Sequence, residues 1–238
     1  MIIDCISDLH GHYPQLEGGD LLIVAGDLTA RDTLDEHLDF IKWCAWQSYK
    51  KIVYISGNHD NKALREPVNN KKIVYLCDSG TEFVLYPELE MMEKGKVYER
   101  PKFKIWGSPW TRRFKGMNPH CMAFTVDTEE ELAEKWALIP DDVDILVTHA
   151  PPYDHLDHIR TKWNDREAVG SESLYWEITE RIVPKIHIFG HIHESYGIEK
   201  REDFYPAQSS NFTIITYVNA SQVNERYEPV NKPIRIEL

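Results

Sequence analysis

The stretch KIVYISGNHD, residues 51–60, guides the interpretation of the whole chain. Its first half is a largely apolar, β-branched run, which is typical of a short buried strand. Gly57 ends the run, and Asn58, His59 and Asp60 follow directly. Asn favours turns, so one interpretation is a sharp turn at the carboxyl end of a strand. The other is that Asn58 is a neutral oxygen ligand of a metal and that His59 and Asp60 do chemistry beside it, and the tetrapeptide alone does not decide between the two.

Similar runs recur along the chain and predict short strands. They lie at residues 2–7, 21–25, 52–56, 72–76, 103–106, 144–147, 185–189, 213–218 and 233–237. Apolar residues at helical spacing lie between them: Leu34, Leu38, Ile41 and Ala45; Leu132, Trp136 and Ile139; Leu174, Ile178 and Ile182. Alternating strands and helices predict crossover connections and an α/β fold with partly parallel sheets.

The remaining segments carry weaker signals. Residues 80–102 predict a hairpin or an irregular surface excursion, and residues 200–212 predict a loop before the last strands. The sequence contains no repeat, low-complexity tract or evident linker. We therefore predict a single domain spanning residues 1–238.

Composition narrows the classes of partner. The formal net charge of −12 disfavours a partner bound by a basic surface, so we expect neither polymeric nucleic acid nor a membrane. The first residues look like a strand rather than a signal peptide, and no apolar run reaches the length of a transmembrane helix. These features predict a cytoplasmic enzyme.

Polar motifs follow five of the predicted strands. They are SDLHGH at 7–12, GDLT at 26–29, GNHD at 57–60, THAPP at 148–152 and GHIHE at 190–194. The carboxyl ends of strands in α/β sheets are where loops converge and ligands bind. Each motif alone is weak, but five at successive strand ends favour one shared site.

The residue types in these motifs suit metal ions. Asp8 and His10 are two residues apart, as are His191 and His193, so on an extended strand each pair projects from one face. The Asp27 carboxylate can bridge two cations, and Asn58 and His149 add neutral ligands. These nitrogen and oxygen donors, without thiolates, suit Mn, Fe or Zn. Two divalent ions bring about +4 and the two aspartates about −2, which leaves a positive site for phosphate.

The motif set DxH, GD, GNHD, HxPP and GHxH resembles the signature of the calcineurin-like metallophosphoesterases. Further segments resemble the metallophosphoesterase domain-containing (UPF0046) branch of that family: GSPWTRRF at 107–114, residues 135–152 and 183–197, and the tail from Tyr217 to Ile234. The resemblance implies a four-layer αββα sandwich with two mixed sheets flanked by helices. It also implies two divalent metal ions, one held by Asp8, His10, Asp27 and His193 and the other by Asp27, Asn58, His149 and His191.

The function that these residues predict is hydrolysis of small phosphate esters. A hydroxide bridging two metals would attack phosphorus, with His59 as general acid and Asp60 orienting the His59 ring and raising its pKa. The resemblance favours phosphodiesters, including cyclic nucleotides, over monoesters. The alternative is a low-turnover nucleotide-binding or scaffold protein with the same fold. The sequence leaves the native metal, the physiological substrate and the oligomeric state undetermined.

Several residues are candidate substrate contacts, each with a structural alternative. Besides Asn58, the candidates are His12, Arg65 and Trp110, with Arg112, Arg113 and Phe114 near them. His12 could instead be structural, the arginines solvent-facing, and the aromatic residues part of the core. His155 and His158 lie in a loop near the predicted site, and we favour solvated loop residues over substrate contacts for both.

Overall fold

The structure is a computed structural model that describes residues 1–61, 67–85, 92–93, 96–97, 101–114, 121–204 and 212–238. The strands are β1 (Ile2–Ile6), β2 (Gly19–Ala25), β3 (Tyr49–Ile55), β4 (Ile73–Tyr75), β5 (Ser79–Val84), β6 (Met92–Glu93), β7 (Lys96–Val97), β8 (Lys102–Ser108), β9 (Thr111–Arg112), β10 (Thr125–Val126), β11 (Ile145–Thr148), β12 (His158–Arg160), β13 (Arg166–Ala168), β14 (Ile186–Phe189), β15 (Gly197–Phe204), β16 (Phe212–Asn219) and β17 (Ile234–Glu237). The helices are α1 (Leu34–Trp46), α2 (Glu129–Trp136) and α3 (Glu172–Glu177), which continues as a π-helical turn over Ile178–Ile182.

Two mixed sheets form the framework. The first has the order β17-β1-β2-β3-β4, with β17 antiparallel to β1 and the other neighbours parallel. The second has the order β15-β16-β14-β11-β8-β5, in which the four central strands are parallel and both edge strands are antiparallel. The parallel strands of each sheet end at a common edge, which is where the loops that follow them gather.

The sheets pack face to face, with helices outside. One apolar cluster joins the inner faces of both sheets, including Ile23 and Val53 from the first and Ile145 and Ile188 from the second. A second cluster places α2 and α3 on the outer face of the second sheet, and a third places α1 on the outer face of the first. This is the αββα sandwich that the sequence predicted, and the fold class is confirmed.

Helix α1 lies where periodicity predicted it but buries a different face. Its buried residues are His37, Phe40 and Cys44, whereas Leu34 is 62% and Leu38 42% exposed. The helix begins with a capping box, in which Thr33 accepts a hydrogen bond from the Glu36 N–H and the Glu36 carboxylate accepts one from the Thr33 N–H. The predicted helix is confirmed, and aromatic and histidine rings, rather than Leu34 and Leu38, fill the space against the sheet.

Two further segments differ from their predictions. Residues 200–204, predicted as part of a loop, belong to β15, which pairs with β16 along its whole length. Residues 79–84 form β5, an edge strand, while β6 and β7 pair as the short hairpin predicted within 80–102. The polar side chains of Glu199, Lys200 and Arg201 suit an edge strand, and that composition hides such a strand from a search for apolar runs.

His187 in β14 makes stability depend on pH. Burial, and then the nearby His155, lowers the pKa of His187 well below its usual 6.5, and Thr148 Oγ1 lies 2.7 Å from its Nε2. A lowered pKa in the folded state means that stability is complete above pH 6.5 and is lost as pH falls below it. The His187→Gln variant lacks this titrating group. Between pH 7.5 and pH 5.5 we therefore expect the unfolding free energy of wild type to fall by about 1.4 kcal/mol more than that of the variant. Urea unfolding at both pH values measures this, and parallel losses in the two proteins would contradict it.

Candidate active site

Five loops bring the predicted motifs together at the shared edge of the two sheets. Asp8, Asp27 and Asn58 follow β1, β2 and β3 of the first sheet, and His149 and His191 follow β11 and β14 of the second. Backbone hydrogen bonds join the loops: the Asp8 N–H donates to the Gly26 carbonyl, and the Gly190 N–H donates to the His149 carbonyl. The site therefore lies where the sheets meet.

Left-handed backbone geometry aims several of these side chains. Asp8, His10, Asp27 and His191 have φ values of 52°, 42°, 51° and 69°. The prediction that Asp8 and His10 project together from an extended strand was wrong, because β1 ends at Ile6. Likewise β14 ends at Phe189, and His193 begins a 3₁₀ turn. Non-glycine residues with positive φ cost free energy and are concentrated at functional sites, so this clustering marks the loops as specialised.

One group of side chains surrounds Asp8. Asp8, His10 and His193 each offer a ligand atom, and these atoms lie within 4.8 Å of one another. Asp8 Oδ1 lies 3.3 Å from His193 Nε2, while Asp8 Oδ2 accepts hydrogen bonds from Ser221 Oγ and the His191 N–H. The Asp8 carboxylate is thus fixed on one side and directed at the histidines on the other.

A second group lies around Asp27 and His149. His149 Nε2 is 3.0 Å from Asn58 Oδ1 and 3.4 Å from Asp27 Oδ1, and its other ring nitrogen, Nδ1, lies 2.9 Å from the Ala25 carbonyl. The His191 ring packs edge-on against the His149 ring, with 5.0 Å between their centres. Asp27 belongs to this group with Asp8 and His149 and also to one with His10 and His59. The seven residues predicted to hold metal therefore lie together.

The donor set fits divalent cations. Burial lowers the pKa of His10 to about 4, and burial together with His149 lowers that of His191 to about 3, so both rings are neutral at pH 7. Burial opposes ionisation of Asp8 and Asp27, but neighbouring histidines outweigh it and the pKa of each is lowered. Nε2 of His10 and of His191 is buried with no hydrogen-bond partner among the described residues. Neutral imidazoles with buried free nitrogens beside carboxylates match what such ions require.

Glycines allow the loops to approach this closely. A Cβ at Gly57 would lie 2.1 Å from Asp27 Oδ1, and one at Gly190 would lie 2.1 Å from Ser7 Oγ and 2.2 Å from Asp8 Oδ2. No side chain fits at either position without displacing a carboxylate. Steric crowding thus explains why glycine precedes Asn58 and His191 in their motifs.

Gly190→Ala is expected to displace Asp8 and weaken metal binding at least tenfold, at a cost of about 1–3 kcal/mol in unfolding free energy. Calorimetric titration with Mn²⁺ and urea unfolding measure the two effects. Gly80→Ala in β5 is the control, since its Cβ would meet nothing closer than 3.3 Å. Metal affinity equal to that of wild type would show that the steric argument is wrong.

His59 and Asp60 occupy different environments. The His59 ring lines a cleft of about 330 Å³, with Nε2 3.8 Å from Asp27 Oδ2 and Nδ1 3.3 Å from Cys121 Sγ. The Asp60 carboxylate is buried and accepts hydrogen bonds from the backbone N–H groups of Leu28, Thr29 and Gly57. The predicted contact in which Asp60 orients the His59 ring is therefore corrected: Asp60 ties the Gly57 turn to the loop after β2.

Some of the predicted substrate contacts line the cleft in the structure, and others lie away from it. Arg112, Arg113 and Phe114 line the cleft, whereas His12 is exposed and lines a separate cavity beside the C-terminal segment. Trp110 Nε1 donates to Asp78 and Lys135 lies over the Trp110 ring, so Trp110 takes the structural role left open for it. Arg65 lies outside the described residues.

The two loop histidines have different surroundings. His155 is buried, bonded to Glu199 and stacked on Tyr217 with 4.0 Å between ring centres. Its predicted role as a solvated loop residue was wrong. His158 is part-exposed beside Asp157.

The sequence motifs missed residues that the C-terminal segment contributes. Ser221 Oγ donates to Asp8, the Asn224 carbonyl lies 3.2 Å from His193 Nδ1, and the Tyr227 ring packs on His10 and His193. They lie in the tail segment from Tyr217 onward, whose resemblance to the family branch was noted without assigning roles. These residues follow β16, where Ser221 forms a parallel bridge with Ser7 next to Asp8, and local spacing does not reveal such a long-range pairing.

The geometry defines a phosphoesterase-type site, and comparison with known proteins supports this class. The chain belongs to the calcineurin-like phosphoesterase family, whose profile matches residues 1–195. This confirms the predicted family and supports a metal-dependent phosphoesterase. Within the described residues, no helix has the length and apolarity needed to span a membrane.

Individual relatives extend the match beyond the family profile. The chain is 33% identical to human metallophosphoesterase domain-containing protein 1 over 98% of its own length and 70% of that protein. It is 28% identical to a UPF0046 protein of Caenorhabditis elegans, covering 98% of this chain and 59% of the relative. Among solved structures, a purple acid phosphatase from yellow lupin aligns over 98% of this chain and 46% of its own, with 13% identity and a TM-score of 0.43.

Proposed function

We propose that this protein is a phosphodiesterase that acts on small phosphate diesters, cyclic nucleotides among them, with two divalent metal ions. Asp8, His10, Asp27 and His193 would hold one ion, and Asp27, Asn58, His149 and His191 the other. Mn, Fe and Zn all suit these donors. When bound, the ions would lower the pKa of a water and offset the negative charge that develops on the phosphoryl group.

One observation carries the proposal. Nε2 of His10 and of His191 is buried and unpartnered among the described residues, and His10 belongs to candidate metal-binding groups with Asp8 and with Asp27. A buried polar atom without a partner costs about 1–3 kcal/mol, and a divalent cation held by these neutral imidazoles and the ionised carboxylates would satisfy both atoms.

His59 would serve as the general acid. Its ring faces the cleft and its backbone N–H donates to Asp27 Oδ1, so it is anchored to the residue shared by both ion sites. A proton on its ring could pass to the oxygen of the leaving ester group. Asp60 would support this role indirectly by fixing the turn, through its bonds to the backbone of Gly57 and Leu28.

The charges of the cleft favour a diester. Arg112, Arg113 and Arg160 line it, but Glu194 and Glu225 line it too, and Arg113 pairs with Asp127 at 3.2 Å. Among the described residues that line the cleft, the two glutamates and this ion pair therefore offset the charge of the three arginines. A diester carries one negative charge and a monoester close to two at neutral pH, so the diester needs less compensation.

Hydrolysis of bis(p-nitrophenyl) phosphate tests the proposal directly. The protein is stripped of metal, reconstituted with Mn²⁺ and assayed beside p-nitrophenyl phosphate. We expect diester turnover that disappears when the metal is removed and that exceeds monoester turnover at least tenfold. Bound metal with no turnover of either ester would refute the catalytic proposal and favour the nucleotide-binding or scaffold alternative.

A further inference from the structure

Tyr227 is an exposed aromatic residue held against the candidate metal ligands. Its ring centre lies 4.8 Å from that of His10, 5.3 Å from that of His193 and 6.1 Å from that of His59. It lines the cleft, yet 41% of the residue is accessible to solvent. An aromatic residue that contacts the candidate ligands and lines the cleft with part of its surface accessible to solvent offers contact area for a flat group of a ligand.

A hydrogen-bonded turn holds Tyr227 in place. Its φ of 62° is in the left-handed region, and its N–H donates to the Asn224 carbonyl. Asn224 also accepts, through Oδ1, hydrogen bonds from the N–H groups of Arg226 and Glu228. The same Asn224 carbonyl lies beside His193 Nδ1, so one turn both orients a candidate ligand and positions the aromatic ring.

A second aromatic ring lies by the other group of candidate ligands. Phe114 stacks on His191, with 5.5 Å between ring centres and 22° between their planes, and it lines the same cleft. Tyr227 thus contacts histidines of the Asp8 group, and Phe114 contacts the histidine near His149. A phosphoryl group bound between the two groups would have an aromatic ring on each side.

We infer that Tyr227 and Phe114 are specificity-determining residues that select phosphate esters with a flat aromatic or heteroaromatic ester group. The inference rests on the proposed function, because it names the substrate class of that same site. Tyr227 lies outside the residues that the family profile matches, 1–195, so the C-terminal segment would contribute part of this selectivity. Stacking on an aromatic ring contributes on the order of tenfold in affinity, which is enough to measure.

A binding experiment tests the inference without requiring turnover. The Mn²⁺-loaded protein is titrated calorimetrically with phenylphosphonate and with methylphosphonate, which share a head group and differ in the flat ring. We expect wild type to bind phenylphosphonate about tenfold more tightly. Tyr227→Asn should reduce this ratio to below threefold, because Asn tolerates positive φ and preserves the turn while removing the ring. Phe114→Leu should reduce it as well.

Three controls sharpen the result. Tyr227→Phe should keep the wild-type ratio, since it keeps the ring, and Tyr153→Asn should keep it because Tyr153 is an exposed tyrosine outside the cleft lining. Metal content measured by mass spectrometry should be equal in all variants. A tenfold preference that survives in Tyr227→Asn, or that is lost equally in Tyr227→Phe, overturns the inference.

A turnover experiment separates this inference from the proposed function. Bis(p-nitrophenyl) phosphate and methyl p-nitrophenyl phosphate have the same leaving group, so their kcat/KM ratio reports on the second ester group alone. We expect that ratio to fall about tenfold in Tyr227→Asn. An unchanged ratio in an active enzyme contradicts the inference and leaves the proposed function standing. If wild type has no turnover but Tyr227→Asn still loses the preference for phenylphosphonate, the inference is supported and the proposed function is contradicted.

Discussion

Asp27→Asn is expected to lower diester kcat/KM at least 10³-fold and to reduce bound metal from two ions per chain to one or fewer. Asp27 Oδ1 lies 3.4 Å from His149 Nε2 and Oδ2 lies 3.8 Å from His10 Nε2, so its two oxygens are each near a residue of a different proposed ion site. Asn keeps the size of the side chain but removes the charge and one of the two ligand oxygens. The loss of a bridging carboxylate should therefore affect both ions, and metal analysis with the diester assay measures both effects.

Asp20→Asn is the matched control for this change. Asp20 lies on the same strand, β2, near the end opposite to Asp27, and pairs with Lys50. It should retain two ions and wild-type turnover. If Asp27→Asn also retained two ions, Asp27 would not be the shared ligand, and the arrangement of both metal sites would have to be revised.

His59→Asn is expected to lower kcat by about 10²–10⁴ for diesters with alkoxide leaving groups, with two ions still bound. The reason is that an alkoxide needs a proton as it leaves. For p-nitrophenolate, a stable anion, the loss should be smaller by at least tenfold. The comparison of two leaving groups is an internal control, because damage to metal binding would reduce both rates equally.

The position of His59 allows two roles, metal ligand or general acid, and this experiment distinguishes them. His59 also lies in one of the groups that could hold a metal, with His10 and Asp27. A metal ligand and a general acid give different results: loss of an ion with equal rate losses for both leaving groups would show that His59 is a ligand and not the acid.

The strands, the helices and the α/β class were predictable because their signals are local, whereas the four-layer αββα arrangement was implied by the family resemblance. Short β-branched runs ending in Gly, Asn or Asp located the central strands of both sheets, and the spacing of Leu132 and Trp136 and of Leu174 and Ile178 located the buried faces of α2 and α3. Periodicity also located helix α1, but it gives only the spacing of apolar residues, while Phe40 and the position of the sheet decide which face is buried. The edge strand β15 was not predicted because edge strands often carry charged side chains, which interrupt the apolar pattern of a strand.

The composition of the site was predictable, but its geometry was not. The motifs identified all seven candidate ligands, which the structure brings together, and their metal-binding role remains a prediction. The strand-alternation argument for Asp8 and His10 failed because positive φ values, and not a pleated strand, aim these side chains. Contacts made by Asp60 and Cys121, and by the Tyr227 turn, join segments far apart in sequence, and no local pattern encodes them.

Anomalous diffraction at the manganese absorption edge from crystals of the Mn²⁺-loaded protein would locate the ions themselves. We expect two anomalous peaks, roughly 3.5–4 Å apart as in two-metal hydrolases, with the Asp27 carboxylate between them and His10 Nε2 and His191 Nε2 on different ions. A single peak, or two peaks away from Asp27, would contradict the two-metal site on which the proposed function depends.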